Sequence, residues 1–94
     1  MVSVLVRHKV EDYDKWRAVF YQHGSTRGAS GSQGARIFRN AKDPNELVVL
    51  LEWDNLELAR QFFQSEDLRQ RMQRAAVAGQ PDVEFLEEVE RDSV

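Results

Sequence analysis

Cysteine is absent from the 94 residues, which excludes disulfides, thiolate catalysis and cysteine-ligated metals. Histidine is scarce, with only His8 and His23, fifteen residues apart. A metal site needs several convergent nitrogen or oxygen ligands, so no metal is expected. No apolar run approaches the ~18 residues that span a bilayer, and a membrane partner is not expected. Clusters of basic residues are also missing. Residues 1–42 carry a net +5 and residues 43–94 a net −8, but the Lys and Arg stand singly among apolar neighbours. A chain of net charge −3 without a concentrated basic patch repels phosphate backbone, so nucleic acid is not an expected partner. Four of the five glycines (24, 28, 31 and 34) fall in one stretch that lacks the Lys-Ser/Thr of a phosphate loop. The opening MVSVLVRHKV has no basic segment followed by a small-residue cleavage site. No leader is expected, and the location expected is cytoplasmic.

What is present reads as six main elements. Val2 to His8 is rich in β-branched residues and reads as a strand. Asp12 is placed to cap a helix running to about His23, with Gly24 as its left-handed stop. Gly24 to Gly34 reads as a mobile Gly/Ser-rich connection; the alternative is a lid over a cleft, with Arg27 as an anion contact. Ala35–Asn40 and Leu47–Trp53 read as strands joined by the turn Asp43-Pro44-Asn45-Glu46, the second being the most apolar and therefore central. Asp54 and Glu57 resemble a capping box for a helix through Phe63, and Ser65 caps a second segment carrying Leu68, Met72, Ala75 and Ala76. That segment ends at Gly79-Gln80-Pro81, a last strand alternates from Val83 to Val89, and residues 91–94 form a disordered tail.

The order β-α-β-β-α-β specifies a ferredoxin-like α+β domain over residues 1–94, with an antiparallel four-stranded sheet. First and last strands then lie side by side, and Arg7 and Lys9 are expected opposite Glu84, Glu87 and Glu88, at about 0.2–1 kcal/mol per pair. Leu47, Val49, Leu51 and Trp53 fall on one sheet face and Val48 and Leu50 on the other. Helices cover only one face. The apolar residues on the other side therefore call for a partner, most economically a homodimer through the helix-free sheet face.

The chain resembles the dimeric α+β barrel superfamily, nearest to its antibiotic-biosynthesis-monooxygenase-like branch. The resemblance rests on VRHKV, DYDKWRAVF, RIFRNAKDPNELVVLLEW, LELARQFFQS, LRQRMQRA and PDVEFLEEVE, and it spans residues 2 to 90. It implies a ligand cleft between each subunit's sheet and its helices. It also implies that cofactor-independent oxygenation of an aromatic substrate is within the family's range, so no cofactor is expected. The haem-degrading branch usually places an Asn on the first strand, where this chain has Ser3 and His8.

His8 ends the apolar row of Val2, Val4 and Val6, where it is either a general base or a strand-end histidine satisfied by a neighbour. Tyr13, Trp16, Phe20 and His23 form a helical stripe, which reads as core or as a flat wall for an aromatic ligand. His8 and His23 are thus the candidate catalytic residues. Tyr13, Trp16, Phe20, Arg36, Phe38 and Trp53 are the candidate substrate-binding residues, Phe38 and Trp53 on condition that they face the helices. The expected function is a homodimer binding a small apolar or aromatic molecule, with cofactor-independent monooxygenase chemistry on an aromatic or polyketide-like substrate. The alternative is a non-catalytic or stress-associated dimeric barrel. A cleft lined by His8, Trp16 or His23 favours the enzyme, and one filled by Phe62, Phe63 and Met72 favours the alternative.

Overall fold

Alternation along the first strand decides how the molecule is layered. A computed structural model describes residues 2–74 and 77–93, and in it β1 (Val2–Val10) buries Val4, Val6, His8 and Val10 while Arg7 and Lys9 stay exposed. β3 (Glu46–Trp53) buries Leu47, Val49, Leu51 and Trp53 on the same side. These two strands are the centre of a four-stranded antiparallel sheet of order β2-β3-β1-β4, with β2 at Ser32–Arg39 and β4 at Val77–Glu87. The extents of 34 × 33 × 20 Å correspond to one sheet and one layer of helices, since packed layers lie ~10 Å apart. Val4, Leu47 and Trp53 are the most deeply buried large side chains, and each buried aliphatic contributes about 1.5–3 kcal/mol.

Helix α1 (Tyr13–Gln22) starts where expected, because the Asp12 carboxylate accepts from the N–H groups of Asp14 and Lys15. It also ends where expected, with His23 as its C-cap, but the glycine that follows differs from the expectation. Gly24 is not a left-handed stop but opens a short helix, α2 (Gly24–Ala29), and β2 begins three residues later at Ser32. The Gly/Ser-rich stretch is therefore helix and strand, held by side-chain contacts that its composition does not advertise. Arg27 Nη1 donates to the Phe20 carbonyl at 2.7 Å, Ser30 Oγ to the Thr26 carbonyl at 3.0 Å, and Trp53 Nε1 to the Ser30 carbonyl at 2.9 Å.

Helix α3 (Leu56–Phe63) is capped by Asn55, whose side chain accepts from the Leu58 N–H at 2.8 Å, rather than by Asp54. Asn55 holds the N-cap, one residue beyond the expected capping box. Ser65 does cap α4 (Glu66–Arg74), with Oγ accepting from Leu68 N–H, and Ala75 and Ala76 lie outside the described residues. Gly79-Gln80-Pro81 does not end the helix. It sits inside β4, where the register against β1 slips between Arg7 and Lys9 and Gly79 takes φ +72°. Proline lacks a ladder N–H, so it is tolerated at such an irregularity.

The expected charge pairs on β1 and β4 are not formed. Register places Asp82 opposite Arg7, Glu84 opposite Leu5 and Glu87 opposite Val2, while Lys9 pairs with Asp43 at 3.6 Å and Glu88 with Arg91 at 2.8 Å. The unbroken register from Val2 to Arg7 sets Glu84 and Glu87 opposite apolar residues, and the slip beyond Arg7 leaves Lys9 opposite Ala78. The helix-free face carries Leu5, Val48, Leu50, Phe38 and Leu86 among Ser3, Arg7, Arg36, Glu52 and Glu84. Val89 lies beyond the end of β4 and is 87% exposed. No helix among the described residues is long and apolar enough to cross a membrane.

Candidate functional site

Between the sheet and the helices lies a cavity of about 70 Å³. Val6 and His8 of β1 with Val49 and Leu51 of β3 form its floor, because these are the helix-facing positions of the two central strands. Trp16, Phe20 and His23 of the α1 segment form one wall, since α1's 3.6-residue period brings them to one side. Phe62, Phe63, Leu68 and Met72 form the other, and Val19, Arg27 and Arg71 complete the lining.

His8 is 6% exposed, and both its ring nitrogens are buried without a hydrogen-bond partner among the described residues. Its ring lies 5.6 Å from that of Trp16. Burial alone pushes its pKa below the ordinary 6.5, so the imidazole is neutral at pH 7. A neutral imidazole offers one donor and one acceptor, and here both are unspent.

His23 closes α1, its backbone N–H donating to the carbonyls of Val19 and Phe20, which turns the ring inward. Its Nε2 lies 3.2 Å from Asp67 Oδ2, joining the end of α1 to α4, and its ring packs on Phe62. Burial and the nearby Arg71 push its pKa down, against an opposing pull from Asp67. Asp67 Oδ2 also lies 3.4 Å from Arg71 Nε, so one carboxylate serves both Arg71 and His23. Arg27 reaches in from α2 with its guanidinium carbon 3.6 Å from the centroid of Phe20.

The structure brings His8, His23, Trp16 and Phe20 to this cavity. Tyr13 stacks on the far side of Trp16 with Arg39 over its ring and does not line the cavity. Trp53 does face the helices, but it packs against Phe62 and Phe63 and stands behind the wall. Arg36 and Phe38 pair with Leu50 and Val48 and lie on the helix-free face, away from the cavity, because β2 carries them at the outward positions. Arg71 was not legible as a site residue. Its only sequence signal is its place four residues after Asp67 and within a turn of Leu68 and Met72. The lining contains both the polar set and the filling set of Phe62, Phe63 and Met72, so it meets each of the two expectations in part. Among the described residues, no three His, Asp or Glu side chains converge as metal ligands would.

No curated protein matches the sequence. Solved structures do match the fold. SnoaB, a cofactor-independent oxygenase from Streptomyces nogalater, superposes with a TM-score of 0.80 at 12% identity, over 99% of this chain and 97% of that one. A candidate antibiotic biosynthesis monooxygenase from Bordetella bronchiseptica gives a TM-score of 0.78 at 17% identity, over 94% and 96%. Another from Caulobacter crescentus gives 0.75 at 18%, over 95% and 90%. At such identities the likeness establishes the ferredoxin-like α+β fold and no more. The sequence model of the antibiotic biosynthesis monooxygenase family, however, matches residues 1–74, and the chain belongs to that family.

Proposed function

We propose that the protein is a homodimeric, cytoplasmic, cofactor-independent monooxygenase acting on a small aromatic substrate, with His8 as the group that takes the substrate's proton. The observation that carries this reading is His8 itself, an imidazole with two unpartnered nitrogens on the floor of an apolar cavity. An unsatisfied buried polar group costs about 1–3 kcal/mol, and a substrate hydroxyl would satisfy it. Neutral His8 accepts a proton from an aromatic hydroxyl or activated CH, leaving an electron-rich anion within a water-poor pocket. Dioxygen is the oxidant. One of its atoms becomes a hydroxyl oxygen on a former ring CH carbon of a hydroquinone, which ends as a hydroxyquinone; the other leaves as water with two of the substrate's hydrogens, and the four electrons come from the substrate. His23, held by Asp67, and the edges of Trp16 and Phe20, whose faces are taken by each other, Tyr13 and Arg27, would position the ring.

Pairing of two chains through the helix-free face is supported by its apolar residues, of which Phe38 and Leu86 are 49% and 39% exposed. The test of function is oxygen consumption with a panel of hydroquinones under isotope-labelled dioxygen. One labelled atom should enter the product and one the water, and His8→Phe should slow turnover by about 10²–10⁴-fold. Wild-type activity unchanged in His8→Phe would remove His8 from the mechanism. A second reading, a non-catalytic binding dimer, is favoured by the small volume between Phe62, Phe63 and Met72. Failure of every substrate to consume oxygen, with ligands still raising the melting point, would select it.

A further inference from the structure

We propose that the cavity selects a single-ring aromatic ligand bearing a carboxylate, which Arg27 receives with help from Arg71. The inference deepens the oxygenase reading and rests on it for the identity of the site.

Charge balance is the first argument. Two guanidiniums and no carboxylate line the cavity among the described residues, and Asp67 beside Arg71 is already shared with His23. Arg27 has no carboxylate partner among the described residues. One of its N–H groups donates to the Phe20 carbonyl at 2.7 Å, and its flat face lies on the Phe20 ring, which leaves other donors of the fork without a protein acceptor. A cation on an aromatic face is partly compensated, but a half-buried guanidinium still gains most from a planar anion that takes two parallel N–H bonds. Arg71 adds a second unspent donor, because its Nε is buried without a well-aligned hydrogen bond although Asp67 is near.

Size is the second argument. A dry cavity of roughly 150 Å³ is what benzene occupies in a well-studied case, and this one is about half of that. One ring enters only by displacing the rim, for which Met72, unbranched and partly buried, is suited. A polycyclic ligand would need the floor of β1 and β3 to move. The third argument is the orphaned His8, nine-tenths buried and directed into the same space, which asks for a hydroxyl elsewhere on the ligand. The ligand class that meets all three demands is a hydroxylated benzoate.

Calorimetric titration of the purified protein with 2,5-dihydroxybenzoate and with its methyl ester tests this. The acid should bind at least 10-fold more tightly than the ester, as loss of a charge-assisted pair implies. Arg27→Gln should abolish the preference while ester affinity stays within about two-fold, and Arg27→Lys should keep part of it. Equal or tighter binding of the ester, no binding of either compound at millimolar concentration, or an undiminished preference in Arg27→Gln would overturn the proposal. The wild-type comparison stands even where Arg27→Gln does not fold. Oxygen uptake measured on the same pair separates the two readings. Acid preference without uptake keeps the anion site and removes the oxygenase, whereas uptake on both compounds without acid preference does the reverse.

Discussion

The indole N–H of Trp53 donates to the carbonyl oxygen of Ser30 at 2.9 Å, and this bond ties the Gly/Ser-rich segment to the last residue of β3. Gly31 follows immediately with φ +108°, and a Cβ built on it would stand 3.0 Å from Trp53 Nε1 and 3.1 Å from Leu58 Cδ1. Only glycine holds that conformation without strain, and only a residue without a side chain lets the indole approach. Gly31→Ala should therefore destabilise the protein by more than 1 kcal/mol, through backbone strain and crowding together. Trp53→Phe keeps most of the packing but leaves the Ser30 carbonyl unpaired, at a cost of about 1–3 kcal/mol. Chemical denaturation of both variants checks this; wild-type midpoints would mean that the segment is not held at Trp53.

His8 should be a stability liability. Its imidazole is buried in an apolar setting with neither nitrogen bonded, whereas a leucine of similar size would leave nothing unsatisfied. His8→Leu should raise stability by about 1 kcal/mol at pH 7, visible as a higher melting temperature, while removing turnover. A drop of several kcal/mol instead would assign His8 a packing role.

Stability should also fall on mild acidification, in a window set by the two histidines. Both have folded-state pKa values below the 6.5 they approach when unfolded, so the unfolded chain takes up protons that the folded chain refuses. Their contribution is complete above pH 6.5 and declines as pH drops below it, until each folded imidazole itself titrates. The slope is at most about 1.4 kcal/mol per pH unit for each group. The difference between wild type and His8→Leu isolates the His8 part from the carboxylates. Parallel pH profiles for the two proteins would show that His8 is not held neutral by the fold.

How far the site could be read from the chain depends on which interactions are local. Alternation in Val2–Val10 and Glu46–Trp53 is a backbone property, so the faces, the central strands and the place of His8 are legible directly. The helical spacing of Trp16, Phe20 and His23 is equally local. The order of α2 was not legible, because glycine and serine carry no sign that Arg27, Phe20 and Trp53 will pin them from elsewhere. Arg71 escaped for the same reason, since its role depends on α4 meeting the end of α1 through Asp67 and His23. Arg36 and Phe38 look chemically attractive, yet one step of strand parity puts them on the opposite face.

That opposite face sets the last prediction. Leu5 and Leu50 stand directly across from each other at the centre of the sheet, flanked by Val48, Phe38 and Leu86, with no helix over them. Sheets of this kind pack about 10 Å apart face to face, and a two-fold axis through their centre would place the same leucines of both chains in contact. Sedimentation at micromolar concentration should then report a species near twice 10.9 kDa. Leu50→Glu should convert it to a monomer, because the two-fold axis would bring one such carboxylate from each chain together, and Arg36 across the strand offsets only part of a desolvation cost of several kcal/mol. The helix-side core does not touch Leu50, so the variant should retain its circular dichroism spectrum. A wild-type monomer, or a Leu50→Glu dimer of unchanged affinity, would show that the two chains do not meet on this face.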